Sequence, residues 1–279
     1  MKIPFTNPFI LAPLLEPNDI AFRILCKKAG AGGVYTGMTN PLSLKTLLLD
    51  DKPILQIFCN SSLGVPKFIK KFDKQVSGWD LNLGCSSSTA KKLKFGSYLT
   101  DIEEIENILK IMRENSKKFL SVKIRKSENS FKILKIAEKY CNALIIHPRT
   151  REQGYSGRAD IEFAIKIKRN SKIPIIYSGD VDEKNAKSLL NIFDFVMIGR
   201  KAIGRPCIFS FLLGKECNLN FFNYLALAKK YKLPFSQIKF QAMNFTKSLK
   251  NAKMLRKKIT LSKNIEEIEK LFYSFKNKF

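Results

Sequence analysis

A cysteine follows an alternating run of apolar and polar residues in the segment 80–85, which reads DLNLGC. Such alternation is typical of a β-strand, and the glycine before Cys85 marks the point where the strand ends and the backbone turns. The position of the thiol at this turn raises the question of whether Cys85 takes part in a reaction.

The chain has six cysteines and a single histidine, His147, and no two cysteines form a C-x-x-C pair. This pattern argues against a zinc or iron–sulfur site, so we expect no metal. In a cytosolic chain we expect the thiols to be reduced and most of them to pack as small core residues. The six are Cys26, Cys59, Cys85, Cys141, Cys207 and Cys217.

Two cations stand two positions apart in the run VKIR at 122–125. Residues with this spacing on a strand point to the same face, so Lys123 and Arg125 would together carry positive charge into the interior of a barrel. Buried cations need a partner. An anionic, electron-rich ligand would serve; alternatively, one of the two extends to solvent or pairs with a carboxylate such as Asp80.

Further polar residues end the later strands. His147 closes the apolar run ALIIH, where it is either a hydrogen-bonding core residue or a ligand contact. The runs SGDV at 178–181 and IGRKAIG at 198–204 supply glycines at two strand ends. Backbone N–H groups in such loops can hold a phosphate, although glycines also end strands for conformational reasons alone.

Short β-rich runs alternate with segments of helical periodicity through most of the chain. Eight strands, each followed by a helix, predict an α/β fold of the (β/α)₈ TIM-barrel type, and strands of near-continuous apolar character fit a parallel sheet. The strands are predicted at 9–12, 33–36, 53–58, 78–82, 119–124, 143–147, 173–178 and 195–199. The helices are predicted near 19–29, 40–49, 65–76, 101–115, 130–140, 160–169, 183–191 and 203–213.

The pattern changes to helices alone from about Phe221. We therefore predict a barrel domain at 1–215 and a C-terminal all-helical domain at 216–279, with helices near 221–231, 236–250, 251–261 and 265–276. Residues 221–279 hold 14 Lys and Arg against three Glu. The lysines 250, 253 and 257 share one helical face, which is either a solvated surface or a phosphate-binding one.

The whole chain of 279 residues carries 50 Lys and Arg against 24 Asp and Glu, a formal net charge of +26. This excess favours a nucleic acid as partner first and an anionic membrane second, unless it reflects only well-solvated lysines. Prolines and acidic residues interrupt the N-terminal apolar runs, so no signal peptide is predicted. No apolar run approaches the about 20 residues that span a bilayer, and we expect a cytoplasmic protein without a membrane partner.

Eight segments, in order through residues 9–209, resemble the tRNA-dihydrouridine synthase family of flavoenzymes. They are APLLEPNDIAFR (12–23), LQIF (55–58), DLNLGC (80–85), FGSYL (95–99), VKIR (122–125), HPRTREQGYSGRAD (147–160), IPIIYSGDV (173–181) and VMIGRKAIGRPCIF (196–209). The layout of that family, an FMN-bearing barrel followed by a basic helical domain that grips tRNA, is similar to the organisation described above.

The resemblance implies a reaction. NADPH, or NADH, reduces FMN and leaves, and a uridine of tRNA is flipped into the barrel mouth. A hydride passes from flavin N5 to uracil C6, and a cysteine thiol protonates C5 to give 5,6-dihydrouridine. The resemblance also implies a monomer. No G-x-G-x-x-G nucleotide-binding loop occurs in the chain, so the choice between the two nicotinamides stays open.

The resemblance also assigns residues to roles. The proton donor of the family falls on Cys85. The positions that match cofactor contacts are Pro13, Gln56, Lys123, His147, Ser178, Gly179, Asp180, Gly199 and Arg200. The positions that match substrate or tRNA contacts are Asn82, Arg149, Lys250, Lys253, Arg256 and Lys257.

The sequence departs from the family pattern at four places. Ser86 replaces the proline that follows the cysteine, and Thr89 replaces a lysine, with Lys91 and Lys92 just beyond it. Ser178 replaces an asparagine, and the run TGM at 36–38 replaces TEM. These changes remove neither the flavin contacts nor the thiol, so we expect an active enzyme.

Two other functions remain open at this point. One is a flavin-dependent barrel that acts on a small molecule, in the manner of dihydroorotate dehydrogenase. The basic helical tail, with Lys250, Lys253, Arg256 and Lys257, speaks against it because such an enzyme needs no tail. The other is a tRNA-binding protein without catalysis, which the departures around Cys85 keep open.

Overall fold

Eight parallel strands form a nearly closed barrel. The computed structural model describes residues 3–14, 18–43, 46–249 and 252–276. The strands pair in the order β2-β1-β8-β7-β6-β5-β4-β3, and single bridges from Tyr35 to Ile54 and from Thr39 to Ile57 join the two edges. The strands are β1 (Phe9–Leu11), β2 (Gly33–Val34), β3 (Ile54–Ile57), β4 (Gly78–Leu83), β5 (Phe119–Arg125), β6 (Ala143–His147), β7 (Ile175–Tyr177) and β8 (Phe195–Ile198).

Helices cover the outside of the barrel and continue beyond it. The TIM-barrel prediction is confirmed, and the described chain after β8 contains helices without strands. The helices are α1 (Ile20–Lys28), α2 (Val65–Phe72), α3 (Ser88–Leu93), α4 (Ile102–Asn115), α5 (Ser130–Tyr140), α6 (Ile161–Arg169), α7 (Ala186–Leu189), α8 (Ile208–Leu212), α9 (Phe221–Lys230), α10 (Phe235–Phe245), α11 (Lys253–Leu261) and α12 (Ile265–Lys276).

The alternation of residues along the strands builds two cores. Side chains on the outer face pack against the helices in one large apolar cluster. Side chains on the inner face fill the barrel with a smaller apolar cluster that includes Ile10, Tyr35, Ile145 and Met197. Because the lower interior is closed by these apolar residues, polar inward-facing side chains collect near the carboxyl ends of the strands.

The strand register aligns inward-facing residues in rows across β3, β4, β5 and β6. Gln56 lies beside Asp80, and Asp80 lies beside Ser121. One row nearer the carboxyl ends, Asn82 lies beside Lys123. This register brings together groups that are far apart in the sequence.

The helix predicted at 40–49 is wrong for the described part of that stretch. The chain there forms turns, and the Asn40 side chain accepts a hydrogen bond from the backbone N–H of Leu42 at 2.8 Å. The stretch is also tied to α1 because Arg23 binds the Leu48 carbonyl and the Asp51 carboxylate. Local side-chain hydrogen bonds thus replace a helix at this position.

The expectation that all cysteines are reduced is also wrong, because Cys207 and Cys217 form a disulfide. The chain between them forms α8 and turns back through Gly214, whose φ is +68°, so that the two Cα atoms lie 5.6 Å apart. A separation of ten residues has no C-x-x-C signature, which is why the sequence pattern missed the pair. Cys26, Cys59 and Cys141 are buried, as predicted for core residues.

The C-terminal helices are joined to the barrel through Asp19, the N-cap of α1. One carboxylate oxygen accepts a hydrogen bond from the backbone N–H of Phe22. The other accepts hydrogen bonds from Tyr224 of α9 and from Gln237 and Gln241 of α10. The cap of the first barrel helix is therefore also an anchor for the helices that follow the barrel.

Candidate functional site

The carboxyl ends of the strands surround a cavity of about 420 Å³. Cavities of a few hundred Å³ with converging polar groups are typical of cofactor sites. Gln56 lies outside the lining, whereas the other predicted cofactor contacts all belong to it. They are Pro13, Lys123, His147, Ser178, Gly179, Asp180, Gly199 and Arg200.

Lys123 lines this cavity from the inner face of β5. Within the described residues, its ammonium forms neither an ion pair nor a hydrogen bond. Burial, together with the nearby charge of Arg125, lowers the pKa of Lys123 to about 8, although Asp80 and Cys85 act in the opposite direction. The cavity therefore contains a cation without a protein partner, which is the donor that an anionic ligand requires.

Arg125 does not share this role. Its Nε donates to the carbonyl of Gly84 at 2.7 Å, and its Nη1 donates to the carbonyls of Thr150 and Gly154. Arg125 thus ties the loop that contains Cys85 to the loop 148–160. Arg125 therefore has a structural role, whereas Lys123 faces the cavity.

His147 is held in its neutral form. Burial first, and then the charges of Lys123, Arg125, Arg149 and Arg200, lower its pKa to about 2. Nη1 of Arg149 lies 3.3 Å from Nε2 of His147, and because a guanidinium can only donate, Nε2 accepts. The ring proton is therefore on Nδ1, where it is available as a hydrogen-bond donor.

Arg149 is almost fully buried, and four hydrogen bonds join its guanidinium to protein groups. Its Nη2 donates to the Gly157 carbonyl at 2.6 Å and to the Asp180 carboxylate at 2.5 Å, and its Nε donates to the Ser156 carbonyl. These bonds order the loop 148–160 against the β7 end. They favour a positioning role, and direct contact of Arg149 with a substrate stays a prediction.

Asp180 joins the two arginines of the site. Its second oxygen accepts from Arg200 at 2.9 Å, and its backbone has a φ of +48°. Burial would raise the pKa of Asp180, but hydrogen bonds from Arg149 and from the Ala159 N–H, together with the arginine charges, outweigh it and lower the pKa. Asp180 thus acts on the cavity by holding cations in place.

The Cys85 thiol is partly exposed at the end of β4. Its Sγ lies 3.4 Å from Oγ of Ser87, which caps α3 by accepting from the Ala90 N–H. On the other side, the Cys85 carbonyl accepts from the N–H and the hydroxyl of Ser97, at 3.0 and 2.9 Å. The sequence pattern missed α3, although a serine cap followed by good helix formers was the available signal.

A chain of buried side chains lies beneath this loop. Asp80 accepts from Oγ of Ser121 and from Nε2 of Gln56, both at 2.6 Å, and Gln56 in turn accepts from Nδ2 of Asn82 at 2.8 Å. Burial raises the pKa of Asp80 to about 6, and the two hydrogen bonds and Lys123 oppose that shift. The predicted substrate residue Asn82 and the predicted cofactor residue Gln56 are therefore bonded to each other.

Several residues of the cavity lining were not selected from the sequence, and the polar ones among them are Tyr155, Asp182 and Lys201. Tyr155 lines the cavity with its ring 6.0 Å from that of His147 and 5.0 Å from the Arg200 guanidinium. Lys201 also lines the cavity, with its Nζ 3.8 Å from the carboxylate of Asp182. Tyr155 belongs to the run HPRTREQGYSGRAD, but nothing in the local pattern shows that its ring turns toward the β6 end.

A larger cavity of about 990 Å³ lies where the loops after β7 and β8 meet the C-terminal helices. Its walls are mainly apolar, with Phe221, Phe245 and Phe272 among them. None of the predicted cofactor contacts lines it. We place the candidate site in the smaller cavity because the polar groups at the strand ends converge there.

The predicted tRNA contacts lie partly on α11. Lys253 and Lys257 are exposed, and Arg256 is half-buried with Nη1 3.5 Å from the Thr246 carbonyl. Lys250 lies outside the described residues. Over the ranges that the structure describes, no helix is long and apolar enough to cross a bilayer, and no three metal-ligating side chains cluster.

Solved structures share the barrel. Morphinone reductase in complex with tetrahydroNAD aligns with a TM-score of 0.51 at 12% identity, over 79% of this chain and 90% of that one. The enzyme TcOYE with pHBA aligns with a TM-score of 0.54 at 11% identity, over 75% and 89%. At this identity the likeness concerns the fold alone.

Sequence relatives are more specific. A probable tRNA-dihydrouridine synthase of Aquifex aeolicus is 27% identical over 94% of this chain and 93% of its own length. The tRNA-dihydrouridine synthase B of Xanthomonas axonopodis pv. citri is 34% identical over 72% of this chain and 67% of its own length. The family model for dihydrouridine synthase matches residues 10–277. The chain therefore belongs to the dihydrouridine synthase family.

Proposed function

We propose that the chain is a tRNA-dihydrouridine synthase, which reduces the C5=C6 bond of a uridine in tRNA with FMN and a reduced nicotinamide. The observation that carries this proposal is the placement of an unpaired cation, Lys123, in a cavity next to the strand that ends in the partly exposed thiol of Cys85. Family membership gives the reaction, and these two groups give the chemistry that it needs.

The cavity fits FMN by the chemistry of its donors. Lys123 has no partner among the described residues, whereas Arg200 and Lys201, which also line the cavity, are paired with Asp180 and Asp182. The loop backbones at Gly179 and Gly199 line the same cavity, where N–H groups can bind a phosphate. Because Asp180 is shared between Arg149 and Arg200 and Asp182 is paired with Lys201, the positive charge that faces the cavity without a partner is that of Lys123.

FMN, when bound there, supplies the hydride for the C5=C6 bond. Lys123 offers its ammonium to the anionic part of the cofactor, and neutral His147 offers the proton on Nδ1 as a hydrogen bond. Sγ of Cys85 holds the proton that passes to C5 of the uracil. No other described free cysteine is suited to that task, since Cys26, Cys59 and Cys141 are buried and burial raises the pKa of each thiol.

Asn82 is proposed to orient the uracil. Its Oδ1 accepts from the backbone N–H groups of Gly84 and Cys85, and one hydrogen of Nδ2 goes to Gln56. The second hydrogen of Nδ2 remains for a uracil carbonyl. A uridine reaches this depth only when it is flipped out of the stack, which is general for enzymes that act on bases.

The tRNA would be held by phosphate contacts from α11. Lys253 and Lys257 are exposed there, and Arg256 and Lys250 are proposed to contribute further phosphate contacts. NADPH, or NADH, is the proposed transient source of electrons. We expect the enzyme to act as a monomer, in the cytoplasm where its proposed substrate occurs.

The test is direct. The purified protein should bind FMN and, with NADPH and unmodified tRNA, form dihydrouridine that can be mapped to one nucleotide position. Cys85→Ala should keep the flavin and lose the product, whereas the control Cys59→Ala should keep both the flavin and the product. A protein that cannot be loaded with FMN, or a Cys85→Ala variant with normal turnover, would overturn the proposal.

A further inference from the structure

We propose that Asp80 is a positioning residue for the Cys85 loop, acting through the amide side chains of Gln56 and Asn82. The inference rests on the proposed function in one respect, which is the catalytic role of the loop that carries Cys85. Asp80 is fully buried inside the barrel, below the cavity, and its carboxylate contacts neither the cavity nor the surface. A buried carboxylate is costly, so its partners indicate why it is there.

A carboxylate can only accept hydrogen bonds, and this fixes the orientation of each group above it. Gln56 must turn its Nε2 toward Asp80, at 2.6 Å, which leaves Oε1 facing Asn82. Asn82 must then donate from Nδ2 to that oxygen, at 2.8 Å. Neither amide can rotate by half a turn without placing two donors or two acceptors against each other.

This series of hydrogen bonds, from Asp80 through Gln56 to Asn82, ends on the loop that carries Cys85. With Nδ2 of Asn82 committed to Gln56, its Oδ1 faces the backbone N–H groups of Gly84 and Cys85, at 3.0 and 2.9 Å. Ser97 holds the Cys85 carbonyl from the other side. The same carboxylate therefore sets two things: the position of the thiol, and which end of Asn82 is offered to the uracil.

The alternative role for Asp80, as the counter-ion of Lys123, does not fit the contacts. The two residues share no ion pair within 4 Å, as judged on the parts of the chain that the structure describes. Both oxygens of Asp80 are occupied by Ser121 and Gln56. An acceptor at this position, rather than a negative charge, is what the hydrogen-bond chain requires.

Variants of Asp80 can separate its role as a hydrogen-bond acceptor from its negative charge. Asp80→Asn keeps an acceptor oxygen for Gln56 and can donate to Ser121, so it should preserve the chain while removing the charge. Asp80→Leu is similar in size but removes the acceptor, leaving Nε2 of Gln56 unpaired and free to turn. Gln56→Met interrupts the chain one step further on and leaves Asp80 in place.

Cys85 also provides a readout that needs no tRNA. Cys207 and Cys217 form a disulfide, and the free cysteines other than Cys85 are buried, so alkylation of the folded protein should report on Cys85 alone. Cys85→Ala, which should not be labelled, is the control. FMN content and thermal unfolding of each variant show whether the barrel and the cofactor site are intact.

We expect Asp80→Asn to keep wild-type turnover and labelling rate within about twofold. Asp80→Leu and Gln56→Met should lower kcat by about 100-fold, the loss expected when a reacting group moves by about 1 Å, and should change the labelling rate. If Asp80→Leu does not fold, Gln56→Met decides. Equal losses in Asp80→Asn and Asp80→Leu, or wild-type values in Gln56→Met, would overturn the inference. If the wild type lacks tRNA activity, the proposed function fails, whereas the labelling rates still test the positioning role.

Discussion

The backbones of Gly96 and Cys85 are in direct contact: a Cβ on Gly96 would lie 2.7 Å from the carbonyl oxygen of Cys85. Gly96 also has a φ of +62°, which side chains disfavour. It stands in the short turn after α3, next to Ser97, which binds the same carbonyl. The loop that carries the thiol therefore packs so closely against residue 96 that only a glycine fits there.

Gly96→Ala should displace the Cys85 loop and lower turnover strongly while FMN remains bound. The left-handed backbone adds a cost of about 1–2 kcal/mol to the free energy of folding. Gly214→Ala is the matched control, because Gly214 has a φ of +68° and nothing within 4 Å of its Cβ position. Denaturant unfolding should show a larger stability loss in Gly96→Ala than in Gly214→Ala, and steady-state kinetics should show a loss of kcat only in Gly96→Ala; equal turnover in the two would contradict the contact.

The affinity for FMN should fall as the pH rises above about 8. The pKa of Lys123 is lowered to about 8, so its ammonium is charged below that pH and loses its proton above it. Binding of an anion favours the charged form, and the binding free energy therefore weakens with rising pH. Flavin fluorescence titrations of the FMN-free protein at about pH 7 and about pH 9 measure the change.

Lys123→Met provides the control for this pH dependence. It should bind FMN weakly at both pH values, with the difference between them much reduced. His147 does not contribute in this range, since its pKa is lowered to about 2. A variant that keeps the wild-type pH dependence would show that another group titrates.

Breaking the pair of Arg149 with Asp180 should destabilise the site more than breaking an exposed pair. Asp180→Ala leaves the buried guanidinium with one partner fewer, a loss of about 1–3 kcal/mol, and should weaken FMN binding because the loop 148–160 is released. Glu106→Ala removes the exposed pair with Lys139 and should cost less stability, because solvent screens that pair. Urea unfolding of both variants, with FMN titration, compares them; equal losses would argue against a structural role for Asp180.

Binding of tRNA should depend on salt through α11. Lys253→Ala and Lys257→Ala should each weaken affinity and reduce the slope of log affinity against log salt by about 1. Lys132→Ala, an exposed lysine of α5 on the barrel, is the control and should change neither. Filter binding over a salt series gives both numbers. Charge variants are preferable to truncation near residue 215, which would remove Cys217 and the helices that bind Asp19.

The sequence alone identified the strands and most groups that surround the cavity. Period-two alternation and apolar runs placed β4, β5 and β6 within a residue or two of their observed bounds. Because parallel strands end at one edge, residues such as Lys123 and His147 at those ends had to lie together. Local pattern was sufficient here, since each strand is specified by its own neighbours in the chain.

The tertiary structure decided what each polar group contacts. The strand register places Gln56 against Asp80, which is 24 residues away, and contact of Gln56 with the cofactor stays a prediction. The disulfide of Cys207 and Cys217 and the role of Gly96 likewise depend on how the chain returns after a turn. Contacts of this kind arise from register and close packing between distant segments, and no local pattern of side chains encodes them.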